Sequence, residues 1–532
     1  MRIKMKRSKR ITAMTFRWLA LLTLVTLGFS MPRSSAASQT SSAINDVSLS
    51  QAGLVDAAQA QNSASAITAC QVDGGPSACK DGDGDGLCDS WEKAQRLPNG
   101  ASLPGADPRK PDIFVQYDWL DYGPIEKACN STGDCTAVAG LAGFTCSGPA
   151  LTAGYSGSCV ASCTQDSDCT SLGATHAHDR CGLADGIQQC LHSDDPALLV
   201  PDGSGGSAAL DAVVQAFADH QTNLHILRGH ALPHSHVISL RTLNEMTNTC
   251  EGGSLASGNA GAGLYVESLY DLKAASLDPR LSPAYHYMIF ADYSSCDSTG
   301  HCSQCPIGQN PDGTPKVTSL PKFQQSGVSE FFGNDFVVSL ANYIDEVGNP
   351  PDVYNVGGTF MHELGHNLGL HHGGGFDSNG TAEDVGVEYK PNYLSVMNYN
   401  YQFVGIPQLN GHSRLDYSEQ VLPTGGTTPG ALDENNLDET AGLGSGDPNG
   451  AFFYTDAQCN FRIGATNGPV DWDGDLIAGD NTSVSADLHP SDHPGACGVV
   501  NSVQLRGHMD WPPGLPGSLF TYRFQCTSMG GD

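Results

Sequence analysis

His362-Glu363-Leu364-Gly365-His366-Asn367-Leu368-Gly369-Leu370-His371-His372 reads H-E-x-x-H-x-x-G-x-x-H, three imidazoles and a carboxylate at fixed spacing. On an α-helix, His362 and His366 stand four residues and about 400° of rotation apart, so both rings leave one face at a spacing that suits a tetrahedral metal. Were the helix to continue, His372 would lie about 240° round from His366 and out of reach of the same ion. Gly369 resolves this: a glycine adopts positive φ without penalty, ends the helix and turns His372 back as a third ligand. Three protein ligands leave a fourth position for water, the mark of catalytic rather than structural zinc. Glu363 falls beside that water and reads as general base, not ligand. The competing reading is a polar helix with exposed histidines, but chance supplies this pattern only on the order of 10⁻⁴ times in a chain of this length.

A second stretch, Ser395-Val396-Met397-Asn398-Tyr399, follows. Together the two motifs resemble the metzincin zinc endopeptidases, of the secreted bacterial type, in which a methionine turn floors the metal-bound imidazoles. The resemblance implies that Met397 is that floor. For Tyr399 it implies zinc ligation or oxyanion stabilisation, as in the astacin-like and serralysin-like branches. Taken alone, the tyrosine reads equally as an aromatic packed beneath the turn.

The chain has 532 residues, 39% of them hydrophobic, enough for a large core and two or more domains. Its first 37 residues read as a secretory signal peptide: a basic start (Arg2, Lys4, Lys6, Arg7, Lys9, Arg10, Arg17), an apolar run from Trp18 to Phe29, then Ser34-Ser35-Ala36-Ala37. That apolar run is short for a membrane span, and no cysteine precedes Cys70 to carry a lipid, so an extracellular product without a stable membrane anchor is expected. Losing eight basic residues and no acidic one takes the formal charge from −31 to −39. Such acidity disfavours nucleic acid and anionic membrane and favours divalent cations. Eighteen cysteines fit an oxidising exterior and a disulfide framework.

Residues 38–69, rich in Ala, Ser and Gln, read as a linker or short propeptide, with no clear cysteine switch. Region 70–105 holds Asp81-Gly82-Asp83-Gly84-Asp85-Gly86-Leu87-Cys88-Asp89-Ser90-Trp91-Glu92, which matches the twelve-residue calcium loop. Carboxylates come from Asp81, Asp83 and Asp85, the Leu87 carbonyl and Asp89 follow, and Glu92 closes the ion bidentately. Pro98 forbids a long helix after it, which suggests a compact loop rather than a paired EF-hand sensor; a solvated acidic turn is the alternative. Eight cysteines in 129–190 form a double repeat (spacings x5-x10-x12, then x5-x11-x8), implying two disulfide-stapled units rather than a zinc cluster, since CxxC pairs are lacking. Asp471-Trp472-Asp473-Gly474-Asp475 is a partial calcium motif, with Leu476 in the glycine position and Thr482 in that of the closing glutamate. His230, His234 and His236 carry no metal assignment, because Pro233 interrupts them and no carboxylate accompanies them.

The expected fold class is α/β, in the α+β sense: a metzincin-like catalytic domain over 106–420, interrupted by the cysteine-rich repeat at 125–192, then a C-terminal region over 421–532. Its twisted mixed sheet draws on strands Asp112–Tyr117, Asn223–Leu227 and Tyr287–Asp292, with a helix at Ala208–Phe217. Phe336–Leu340 is placed as the antiparallel edge strand, where a peptide substrate can pair over the metal. The expected function is a secreted zinc endopeptidase with one catalytic Zn²⁺ and at least one structural Ca²⁺, acting on protein or peptide. The alternative is an extracellular calcium-stabilised adhesion or binding protein whose metzincin-like domain is inactive.

Overall fold

A computed structural model describes residues 80–122, 128–136, 144–146, 157–172, 179–184, 187–233, 237–240, 266–291, 293–294, 326–331, 333–340, 351–374, 387–424, 429–489 and 504–511. The signal segment, the linker, His234 and His236 lie outside them.

Among the described residues, a mixed sheet of seven strands organises the molecule. Its strands are β1 (Asp112–Tyr122), β2 (Arg180–Ala184), β3 (Ile187–Ser193), β4 (Asn223–Pro233), β5 (Tyr285–Ala291), β6 (Gly327–Ser329) and β7 (Asp335–Ser339). β4, β1, β5 and β7 run parallel, while β6 pairs antiparallel with β7 and forms the edge. Three helices matter for the site: α1 (Asp89–Ala94), α2 (Ala208–Asp219) and α3 (Val353–Asn367).

The placing of Phe336–Leu340 as an antiparallel edge is therefore corrected. That segment is the parallel strand β7, inside the sheet, and Gly327–Ser329 is the edge. All five residues of β7 are buried, Asp335 and Ser339 included, as befits a strand covered on both faces and paired on both sides. β5 shows the same double burial with its two faces sorted by period two: Met288 and Phe290 enter one core, Tyr287 and Ile289 the other.

On the first of these faces, Val213 and Phe217 of α2 and Val356, Phe360 and Leu364 of α3 pack over Val115, Tyr117 and Trp119 of β1. A second lobe gathers Leu394, Tyr401, Ile406, Leu432, Phe452 and Trp472 around a hairpin of Ala451–Thr455 with Phe461–Ala465. Its strand Gln504–Arg506 pairs with Ala431–Asp433, after which the chain re-enters the first core at Trp511, edge-on to Phe217.

The cysteine repeat folds as two units with the same pairing. Cys129 joins Cys146 and Cys135 joins Cys159; Cys163 joins Cys181 and Cys169 joins Cys190. The second unit contains the β2–β3 hairpin, and β3 pairs with the end of β1, so the module extends the sheet. Among the described residues, no helix is long and apolar enough to cross a membrane.

Candidate metal and hydrolytic site

Helix α3 starts at a strong cap: the Asp352 carboxylate accepts from the Tyr354 and Asn355 amides, each at 2.9 Å, while the Asn355 side chain accepts from the Asp352 amide. It stops at Gly369, whose φ is +93°. The Leu370 amide donates to Gly365 O and the Gly369 amide to His366 O, the paired bonds of a Schellman turn, and Leu370 is buried in the first core. This turn carries the chain to His372.

His362, His366 and His372 come together, with one ligand atom from each lying within 4.8 Å of the others. His362 Nδ1 lies 2.8 Å from Val396 O, and His366 Nδ1 2.7 Å from Leu370 O. A carbonyl only accepts, so both Nδ1 atoms carry hydrogen, leaving the Nε2 lone pairs for a ligand. His372 presents Nδ1 to Glu388 Oε1 at 3.3 Å, and its Nε2 stands 3.2 Å from that of His366. Nitrogens bound about 2.0–2.1 Å from a tetrahedral zinc stand about 3.3 Å apart, so this donor set fits such an ion. Burial, with the neighbouring imidazoles, lowers the pKa of His362 to about 3 and that of His366 well below its ordinary value. Both rings are neutral, the form in which imidazole binds a metal.

Glu363, the next residue on the helix, is buried, and burial raises its carboxyl pKa well above the ordinary range. Gly327 of the edge strand lies directly against it; a Cβ there would overlap the Glu363 carboxylate. Ser329 Oγ donates to Glu363 O at 2.8 Å, tying the same strand to the helix backbone. Asn367 reinforces the tie, donating to Ser329 Oγ and Glu330 O while accepting from the buried His286.

Met397 is fully buried, with its sulfur where a side chain on Gly365 would project. Tyr399 lies nearly parallel to His362 at 5.7 Å between ring centroids and tilted over His372 at 4.3 Å. Burial, then the negative charges of Glu388 and Glu363, raise its hydroxyl pKa, so it stays a protonated donor at neutral pH.

The acidic loop is wound by its own side chains. Asp81 accepts from the Gly84 and Gly86 amides, and Asp85 accepts from those of Leu87 and Asp112, the last at the start of β1. Leu87 seals the loop against Phe114 and Tyr285. Asp83 and Glu92 are buried, and all four of their carboxylate oxygens lack a hydrogen-bond donor among the described residues. Desolvation, then neighbouring acids, push Asp83 to about 6 and Glu92 to about 9; desolvation also lifts Asp85 to about 8. Buried, unserved carboxylates of this kind are suited to a hard cation. Asp89 is committed elsewhere: its carboxylate holds Lys80 at 2.7 Å, Lys93 at 3.2 Å and the Gly82 amide.

The segment from Asp471 repeats this winding. Asp471 accepts from the Gly474 and Leu476 amides and Asp475 from Ile477, with Leu476 at φ +77° in the place of the glycine. Glu439, remote in sequence, accepts from the Asp473 and Asn481 amides.

In comparisons with known proteins, the chain matches no family model, no curated protein and no solved structure.

Several participants escape sequence reading. Gly327 and Ser329 carry no motif and reach Glu363 only through the sheet edge. Glu388 reaches His372 through chain folding, and Asn367, although inside the motif, has no signal beyond adjacency. His230, whose ring faces Asp118 at 3.5 Å, joins none of these groups.

Proposed function

We propose that this chain is a secreted, zinc-dependent endopeptidase. The observation that carries the reading is the convergence of three imidazoles, two with lone pairs set by backbone carbonyls, beside a buried carboxylate of raised proton affinity. His362, His366 and His372 would hold the zinc, which when bound supplies Lewis acidity and a water that ionises near neutral pH. Glu363, ionised once a divalent cation stands beside it, would accept a proton from that water and return it to the departing amine. Tyr399, protonated at neutral pH, donates to the oxygen on which negative charge develops. Substrate is a protein or peptide in extended form, pairing along β6, whose outer side has no partner strand among the described residues. Gly327 keeps that strand free of a side chain where it passes Glu363. The loop Asp81–Glu92 holds calcium as a structural ion, with Asp83 and Glu92 taking charge compensation from it.

The test is metal analysis joined to substitution. Proteolysis is lost with a chelator and restored by zinc, and Glu363→Gln retains zinc while activity falls by about 10² to 10⁴. Fully active protein without zinc would overturn the assignment.

A further inference from the structure

The second lobe contains a group that the peptidase reading does not use. Glu434 follows the strand Ala431–Asp433, and the Ala486 amide donates to Glu434 O, with Leu437 and Val484 bridged next to them. This register brings Asp487 and His489 against the Glu434 side chain, and one ligand atom from each residue lies within 4.8 Å of the others. Glu434 is wholly buried. Its Oε1 accepts from the Leu488 amide at 2.7 Å and faces His489 Nδ1 at 2.9 Å, whereas Oε2, also buried, has no donor among the described residues. Asp487 Oδ1 stands 3.7 Å from the same Nδ1 and accepts from the His489 amide at 3.3 Å.

We propose that Glu434, Asp487 and His489 form a second metal site, for a divalent transition cation of the zinc class. Charge and donor type both point there. A protonated His489 would bring one positive charge to two carboxylates, and its single Nδ1 hydrogen cannot also serve Glu434 Oε2. A divalent ion balances both charges, accepts both oxygens of Glu434 and takes the imidazole lone pair. An imidazole among carboxylates suits zinc or manganese rather than calcium, which takes oxygen ligands. The site closes the lobe by joining the acidic run at Glu434 to the end of the 471–489 segment.

The experiment uses the full chain carrying His366→Ala, which disables the three-histidine cluster, stripped of metal and kept in saturating calcium so that the acidic loops do not compete. Zinc is then titrated by calorimetry with metal counted after dialysis. One equivalent should bind and raise the thermal midpoint. Adding Glu434→Gln, which keeps the side-chain shape and an acceptor for the Leu488 amide, should weaken binding by about 100-fold or more, since even supporting groups around a metal are worth about 10- to 100-fold. Should that variant not fold, His489→Asn at the rim of the group carries the same comparison. Absence of zinc binding in the His366→Ala chain overturns the proposal, as does binding that survives both substitutions unchanged. Stability that is indifferent to zinc and falls as pH rises through the histidine range also overturns it, because it identifies an imidazolium bridge instead.

Discussion

At the scale of single residues, the site is organised by what each side chain is denied. Val396 O and Leu370 O remove the Nδ1 choice from His362 and His366, and burial removes water from Glu363. Tyr399 sits over two of the imidazoles with only its hydroxyl as a chemical handle. Tyr399→Phe keeps the ring stack and deletes that donor. Turnover kinetics on a rapidly cleaved peptide should show kcat falling by about 10² to 10³ with KM little changed. Unaltered kcat would leave the tyrosine a packing role. Gly327→Ala is the complementary test, because its methyl group would occupy the space of the Glu363 carboxylate. It should remove most activity while circular dichroism and zinc content stay as in the parent; full activity would show that β6 can shift at no cost to catalysis.

At the scale of elements, the acidic loop and the start of β1 form one unit, since Asp85 accepts from the Asp112 amide and Leu87 packs on Phe114. Asp83→Ala removes a carboxylate that holds no hydrogen bond among the described residues, so it should lower the thermal midpoint in calcium and change it little in chelator; equal losses under both conditions would make the loop only a turn. The pH dependence follows from the raised carboxyl groups. Without calcium, Asp83, Asp85 and Glu92 hold protons in the folded state up to about 6, 8 and 9, against ordinary values of 3.8, 3.8 and 4.5. The folded chain therefore binds more protons than the unfolded one across this interval, and its stability falls as pH rises from about 4 to 9. Saturating calcium should flatten that slope, measured as denaturation midpoints at several pH values. A slope equal with and without calcium would place the ion elsewhere.

At the scale of the whole molecule, the two lobes are closed by the last described segment. Asp510 accepts from Tyr393 and Ser395, beside the methionine turn, and from the Ser418 amide. Trp511 packs on Phe217 and Tyr417 and donates to Asp416 at 2.8 Å. Trp511→Ala leaves a large cavity beside α2 and should cost about 3–5 kcal/mol, read as a lower denaturant midpoint at unchanged slope. A cost under about 1 kcal/mol would mean that the first core closes without this segment.

What the sequence determined by itself is local. The spacing of His362, Glu363 and His366 requires only helical geometry, Gly369 requires only a positive φ, and the aspartates from Asp81 to Asp85 wind a loop through near neighbours. The strands β1 and β5 were legible as apolar runs and the start of β4 as a short strand following the helix Ala208–Phe217. Only the tertiary structure decided which strand forms the sheet edge, that Gly327 and Ser329 meet Glu363, that Glu388 backs His372, and that Glu434 faces His489. A buried apolar run carries no mark of its neighbours, so β7 reads as well for an edge as for an interior strand until β6 is seen beside it. The remaining contacts join residues from 16 positions apart (His372 and Glu388) to 55 (Glu434 and His489). Their partners follow from how the sheet and the two lobes pack, which no short spacing in the chain encodes.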